Sequence, residues 1–224
     1  MPRPRGHKLI VWDLDDVLCC FTEAWLHQAW KREHPGCTRA YGDLRSHPPL
    51  RELDSTRAEY LASIDRFRLA PAARDIPANP TLLAWFERAG GRFRHAVLTA
   101  RPLGAVAPAA AWVFTRFGRW VRDFHFVPSR RPDVRLPHYE TTKLEVLRRL
   151  GRVDFFVDDA RENVAAAAAS GIRAFLFPQP WNPEARSLAA ILADIEGEPR
   201  RPGRPRPGAG RARPHALPPL ARTS

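Results

Sequence analysis

Short apolar runs recur along the chain and predict buried β-strands. They are four to six residues long and lack the polar/apolar alternation of a half-exposed strand, which favours strands that are covered on both faces. The runs are residues 9–12, 93–98, 153–157 and 172–177, with a weaker candidate at 124–127.

Helical segments with recognisable ends lie between these runs. Asn79-Pro80-Thr81 opens a segment over 82–89, and Gly90-Gly91 ends it. Further helices are predicted over 102–117, 141–150 and 159–170. Strands that alternate with helices predict an α/β fold, namely a Rossmann-like parallel sheet with helices on both faces. Ligands of such sheets bind beyond the carboxyl ends of the strands, where the strand order switches.

One stretch breaks the alternation and divides the chain. Residues 18–78 hold two predicted helices, 21–32 and 50–67, joined by a turn-rich segment. We therefore predict a catalytic core formed by 1–17 and 79–196, with a small helical insert over 18–78. Residues 197–224 contain 7 Pro and 4 Gly with few large apolar side chains, which predicts a disordered tail.

The net charge of +12 points to polyanionic partners only until its distribution is considered. Residues 9–196 carry just +3, and the rest lies at the two ends of the chain. Arginine supplies 33 of the 36 basic residues, so a lysine here is less often a filler cation. Three cysteines form no disulfide framework, and no apolar stretch is long enough to span a bilayer. We predict a soluble cytoplasmic protein without membrane contact.

Two pairs of carboxylates follow predicted strands. Asp13 and Asp15 come directly after the first strand, and Asp158 and Asp159 end the run at 153–157. In a parallel sheet both pairs emerge at one edge, where they repel one another unless a cation is shared. Oxygen ligands next to a phosphorylated substrate favour Mg²⁺, so all four aspartates are candidate metal ligands.

A hydroxyl and an ammonium complete the candidate site. Thr99 ends the strand at 93–98, and a helix is predicted to begin just after it, which would form a phosphate cradle from Thr99, Ala100 and Arg101. Arg101 could also reach a second substrate anion, although a surface role is favoured for it in so arginine-rich a chain. Lys143 supplies a compact cation. Together these groups suit phosphoryl transfer.

The order and spacing of these groups resemble the haloacid dehalogenase-like (HAD) hydrolase superfamily over about residues 8–178. The matching motifs are Asp13-x-Asp15-x-Val17-Leu18, Thr99 after an apolar strand, Lys143 on a helix, and Asp158-Asp159 after an apolar strand. Many members have glycine where this chain has Asp16.

The resemblance implies a phosphatase with an aspartyl-phosphate intermediate. Asp13 would attack phosphorus, while Asp15 would protonate the leaving oxygen and later activate water. Asp13, the backbone carbonyl of Asp15 and Asp158 would hold Mg²⁺, with Asp159 close by. Dehalogenases of the superfamily lack the second aspartate, so Asp15 favours phosphate chemistry.

The resemblance also assigns the remaining roles. Thr99 would hydrogen-bond the phosphoryl oxygens, and Lys143 would offset the charge of nucleophile and phosphate. The insert stands where the family places its small helical cap, which would exclude water and choose a small phosphorylated substrate. Trp25, Trp30 and Tyr41 are candidate pocket walls.

Three alternatives remain open. A phosphotransferase would use the same nucleophile and a different acceptor. A receiver-type phosphoacceptor would also use acids, Thr and Lys, but in a different chain order. A non-enzymatic polyanion-binding protein, with nucleic acid as partner, would act through the basic tail. The sequence identifies neither the substrate nor the oligomeric state.

Overall fold

The computed structural model describes residues 7–129, 131 and 140–197, and its described part contains one sheet of five parallel strands. The strands are β1 Leu9–Trp12, β2 Arg94–Arg101, β3 Val121–Pro128, β4 Phe155–Asp158 and β5 Arg173–Leu176. Their order in the sheet is β3-β2-β1-β4-β5, which confirms the predicted α/β Rossmann-like fold.

The central strand β1 is buried on both faces, as its continuous apolar run predicts. Ile10 and Trp12 point into the larger core, where Trp12 packs against Trp85 at a ring distance of 5.7 Å. Leu9 and Val11 point into a second core on the opposite face. The alternation along one strand therefore places apolar layers, and the helices that supply them, on both sides of the sheet.

The described residues contain eight α-helical segments, namely α1 Phe21–Trp25, α2 Lys31–Glu33, α3 Arg57–Leu69, α4 Pro80–Ala89, α5 Val106–Phe117, α6 Lys143–Leu150, α7 Arg161–Ala169 and α8 Leu188–Gly197. Trp85 of α4 and Val113 of α5 belong to the larger core, whereas Val146 of α6 and Ala167 of α7 belong to the second. Single 3-10 turns lie at Tyr41–Asp43, Pro71–Asp75, Gly90–Arg92 and Leu103–Ala105.

The insert between β1 and β2 contributes aromatic side chains to the larger core. A π-helical turn, Leu26–Trp30, joins α1 to α2. Trp25 is fully buried, its ring lies 5.4 Å from that of Trp30, and its Nε1 donates a hydrogen bond of 3.0 Å to Ser63 Oγ on α3. The prediction that Trp25 and Trp30 line a pocket is therefore wrong, because both stabilise the packing of the insert.

The predicted element bounds differ from the structure in several places. Helix α3 begins at Arg57 rather than at 50, because Thr56 caps it and its hydroxyl accepts from the Glu59 backbone N–H. Strand β2 continues to Arg101, and α5 begins only at Val106, so the helix predicted to start directly after Thr99 starts later. Helix α8 was not predicted.

Parts of the predicted organisation stay untested. Residues 1–6 and 198–224 lie outside the described residues, and with them the predicted disordered tail. The division into core and insert also stays a prediction. No helix of the described part is long and apolar enough to cross a membrane.

Candidate active site

The carboxyl ends of β1 and β4 bring Asp13 and Asp158 side by side. Trp12 pairs with Val157 in the parallel register, so the next residue of each strand reaches the same level of the sheet edge. The Asp13 backbone N–H still donates to the Val157 carbonyl at 2.9 Å. This edge is also where the chain, having built β2 and β3 on one side of β1, crosses to β4 on the other. It is the switch point at which ligands bind in such sheets.

Lys143, the first residue of α6, bridges the two carboxylates. Its Nζ lies 2.8 Å from Asp13 Oδ1 and 2.7 Å from Asp158 Oδ2. The lysine side chain is only 5% exposed, and that of Asp158 is fully buried. Burial alone would lower the pKa of Lys143, but the two carboxylates outweigh it and raise that pKa, so the ammonium stays charged.

Asp159 adds a third carboxylate to this group. One oxygen each of Asp13, Asp158 and Asp159 lie within 4.8 Å of one another. Burial raises the pKa of Asp13 to about 7, against the effect of Lys143. Burial likewise raises the pKa of Asp159 well above its usual value, and the neighbouring Asp13 adds to this. One ammonium faces three carboxylates, so the cluster favours a further cation.

The hydrogen bonds indicate which of these oxygens are available. Asp158 is saturated: its Oδ1 accepts from the Ala160 backbone N–H at 2.9 Å and from Asn163 Nδ2 at 3.1 Å, and its Oδ2 accepts from Lys143. Asp13 Oδ1 accepts from the Leu14 N–H and contacts Lys143. Among the described residues, nothing donates to Asp13 Oδ2.

Asp159 is oriented by the segment after β5. Its Oδ2 accepts from Trp181 Nε1 at 3.2 Å, and its backbone carbonyl accepts from Asn182 Nδ2 at 2.6 Å. Oδ1 of Asp159 accepts no hydrogen bond within the described part of the chain. Asp13 and Asp159 therefore present the free carboxylate oxygens of the cluster, while Asp158 holds Lys143 in place.

Asp15 lies apart from this cluster and is held by two arginines. Arg68 from α3 places its Nη2 3.1 Å from Asp15 Oδ2, and Arg101 at the end of β2 pairs with both carboxylate oxygens. Burial would raise the pKa of Asp15, but the charges of Arg101 and Arg68 outweigh it and lower that pKa to about 2. Arg101 is 6% exposed, so the expectation of a surface role for it is wrong.

Replacing Arg101 by Gln should destabilise the protein in a pH-dependent way. A carboxyl with a depressed pKa contributes stability above its unfolded value of 3.8, and this contribution is lost as the pH falls toward 2. We expect the variant to lose about 1–2 kcal/mol at pH 6 and almost nothing near pH 2, as measured by urea unfolding. Arg94→Gln, which breaks a half-exposed pair on the same strand, should cost less. A loss for Arg101→Gln that persists undiminished at pH 2 would contradict this account.

Asp16 closes the turn that follows the strand. Its φ of 60° lies in the left-handed region, which glycine adopts most easily. Its carboxylate accepts from the backbone N–H of Thr22 at 2.8 Å and from the Thr22 hydroxyl, at the start of α1. Asp16 thus anchors the insert to the site edge, which offsets the strain of its backbone.

Thr99 is placed at the level of the site although it does not end its strand. Trp12 pairs with Val97, so Thr99 lies two residues farther along β2, beside the first residues after β1. It is buried, whereas the next residue, Ala100, is exposed. Both pair with β3, so the predicted cradle at a helix N-terminus is replaced by strand backbone.

Several contributing residues gave no sequence signal. Arg68 is one of 33 arginines, and Asn163 and Trp181 lie in segments without a motif. Gln179 donates from its Nε2 to the Asp16 carbonyl and accepts from the Tyr41 hydroxyl. Tyr41 therefore links the insert to the core beside the site. Only the folded chain brings these residues together.

Known proteins resemble this chain in structure but not in sequence. No family model and no curated protein sequence matches the chain. A haloacid dehalogenase-like family hydrolase from Streptococcus pneumoniae superposes with a TM-score of 0.54 at 12% identity, over 85% of this chain and 91% of that one. Protein Tyrosine Kinase A of Mycobacterium tuberculosis does so with a TM-score of 0.52 at 18% identity, over 83% and 88%.

The similarity extends over most of each chain and supports the fold. The five parallel strands and their register agree with the α/β fold that the motif resemblance implies. The chain has the fold of the haloacid dehalogenase-like hydrolases.

Proposed function

We propose that the protein is a Mg²⁺-dependent hydrolase that cleaves a phosphomonoester through an aspartyl-phosphate at Asp13. One observation carries the proposal. Lys143 bridges Asp13 and Asp158 at the switch point of the sheet, with Asp159 beside them. A buried nucleophile held by an ammonium, next to carboxylates that favour a cation, suits the transfer of an anionic phosphoryl group.

The nucleophile is Asp13 Oδ2. Lys143 and the Leu14 N–H hold the other oxygen, so Oδ2 can approach phosphorus while the carboxylate stays in place. The Asp13 oxygen forms a bond to phosphorus as the bond to the leaving oxygen breaks, and the leaving oxygen takes up a proton. A water molecule then attacks the same phosphorus, releases phosphate and restores the Asp13 carboxylate.

We assign both proton transfers to Asp15. Its ion pairs with Arg68 and Arg101 determine whether its carboxyl group is protonated. With Arg68 and Arg101 in place it is a carboxylate at neutral pH, suited to accepting the proton of the attacking water. To donate a proton to the leaving oxygen it must first be protonated. We propose that phosphoryl oxygens draw the guanidinium of Arg101 or Arg68 away from Asp15 and so raise its pKa for that step.

The residues present fit Mg²⁺. One oxygen each of Asp13, Asp158 and Asp159 lies within 4.8 Å of the others, in a group whose negative charge exceeds that of Lys143. Asp13 and Asp159 each also keep an oxygen that accepts no hydrogen bond from the described residues. When bound there, the ion would offset the charge of the nucleophile and the phosphoryl oxygens. Asp158 would act by holding Lys143, and the backbone carbonyl of Asp15 remains the further ligand implied by the family resemblance.

The insert supports the role of a cap. Asp65 of α3 pairs with Arg131 of the core through both of its oxygens, at 2.6 and 2.9 Å, and Arg68 of the same helix reaches Asp15. Tyr41 contacts Gln179 beside β5. These contacts support a cap on the Asp15 side of the site, where it would exclude water and select the leaving group.

The test is phosphate release from phenyl phosphate by the purified full chain. We expect turnover with Mg²⁺ and its loss on chelation with EDTA, with recovery when Mg²⁺ is added back. Equal rates with and without the chelator would contradict the metal requirement. Turnover that needs an added alcohol acceptor, with no release to water, would favour the phosphotransferase alternative.

A further inference from the structure

A cavity of about 630 Å³ lies beside Asp15, between the end of α3 and α5. Its size is that of a small-molecule site. Three of the residues that line it contact Asp15: Arg68, Arg101 and Cys19, whose Sγ lies 3.7 Å from Asp15 Oδ1. Three residues that contact Asp15 therefore form part of the wall of this cavity.

One wall of the cavity is apolar and fixed. Trp112 of α5 is 8% exposed and donates from Nε1 to the Ile76 carbonyl at 3.0 Å. This bond ties α5 to the segment after α3. Ala73, Ala111 and Ile76 extend the same wall, and Leu69, which is 62% exposed, continues it at the surface. Such a wall suits a flat or ring-shaped group.

The charged groups of the cavity are all of one sign. It is lined by four arginines, and no aspartate or glutamate of the described residues lines it. Asp15 compensates part of the charge of Arg68 and Arg101. Arg74 and Arg116 are exposed, and neither forms an ion pair within the described part of the chain. The Nε of Arg68 is buried without a hydrogen-bond partner there, so its donor capacity is not exhausted.

We infer that this cavity binds the leaving group of the substrate, and that the leaving group is a ring-shaped organic group that carries a second anion. The inference rests on the proposed function, because that function places the leaving oxygen beside Asp15. From there the apolar wall of Trp112 and Ile76 accepts the ring. Arg74 and Arg116 bind the distal carboxylate or phosphate.

The test compares aryl phosphates that differ in one charge. The substrates are 3- and 4-carboxyphenyl phosphate and the corresponding uncharged carbamoyl compounds. For the wild-type chain with Mg²⁺ we expect at least one carboxylate to exceed its amide in kcat/KM by roughly fivefold to tenfold. The double variant Arg74→Gln/Arg116→Gln should lose this preference for the carboxylate over the amide. Arg57→Gln, which replaces an exposed arginine of α3 outside the cavity, should keep both the preference and the rate.

Two outcomes separate this inference from the proposed function. If hydrolysis depends on Asp13 but carboxylate and amide react equally, the inference is wrong and the function stands. If no aryl phosphate is hydrolysed, the function is wrong, and binding of the phenols decides the cavity. Saturation-transfer NMR should then detect 4-hydroxybenzoate in preference to 4-hydroxybenzamide with the wild type and not with the double variant. Equal signals for both phenols would overturn the site.

Discussion

Asp13→Asn should abolish phosphate release from phenyl phosphate. The carboxamide has nearly the same shape as the carboxylate, but it has no anionic oxygen to attack phosphorus. Loss of a nucleophile typically costs at least about 10³-fold in kcat, and residual turnover then comes from the remaining site. The measurement is kcat for wild type and variant at saturating Mg²⁺. Because the substitution removes one of three crowded carboxylates, the variant should fold and be at least as stable as the wild type.

The matched control is Asp123→Asn. Asp123 lies on β3 of the same sheet, and its side chain is 44% exposed in an ion pair with Arg94. Its replacement should leave kcat within about twofold, since a half-exposed pair contributes little. If Asp13→Asn were as active as this control, the nucleophile would be a different residue.

Lys143→Met should lower both stability and activity. The ammonium lies between Asp13 and Asp158 and is 5% exposed, so its removal leaves two buried carboxylates without their shared cation. Breaking a buried ion pair in this way costs about 3–5 kcal/mol. For a chain of this size that corresponds to a fall in Tm of roughly 6–20 °C, measured by calorimetry. Phosphate release should fall as well, because the charge of the nucleophile is no longer offset.

Mg²⁺ distinguishes this electrostatic origin from a simple packing defect. An ion bound next to Asp13, the carboxylate that Lys143 also contacts, should raise the Tm of Lys143→Met by more than it raises that of the wild type. Lys31→Met removes a partly exposed lysine of α2 and should leave both the Tm and its increase with Mg²⁺ close to the wild-type values. An equal Mg²⁺ effect on wild type and Lys143→Met would show that the lysine and the ion do not compete at Asp13.

The sheet was predictable because its strands have a distinctive sequence pattern. Continuous apolar runs such as Leu9–Trp12 have few alternatives to a strand that is covered on both faces, and burial on both faces is what the structure shows. Ends of elements were harder. Strand β2 runs past Thr99 to Arg101 because β3 pairs with it as far as Arg101, a tertiary contact that local sequence does not encode.

Part of the candidate site was likewise predictable from the sequence, and part was not. Asp13, Asp158, Asp159 and Lys143 could be proposed because strand ends in a parallel sheet converge and because lysine is rare in this chain. The other residues that form ion pairs or hydrogen bonds with the aspartates of the site could not be predicted. Arg68 reaches Asp15 across 53 positions of sequence, and nothing in an arginine-rich composition distinguishes it from other arginines.

For the aromatic residues of the insert, the sequence suggested a functional role where the structure shows a packing role. Trp25 and Trp30 were candidate pocket walls, but both side chains are buried in the larger core, where they pack the insert against the rest of the protein. The cavity wall is formed instead by Trp112 of α5, which the sequence did not distinguish from the other tryptophans.

The central claim is that Asp13 carries the phosphoryl group during turnover, and trapping tests it most directly. The full chain turning over an aryl phosphate with Mg²⁺ is quenched in acid, reduced with borohydride and digested for mass spectrometry. An acyl phosphate is reduced to the alcohol, so we predict homoserine at position 13 in turning-over samples and unchanged aspartate in samples without substrate. Active enzyme with unmodified Asp13, or with the reduced residue elsewhere in the chain, would contradict the account.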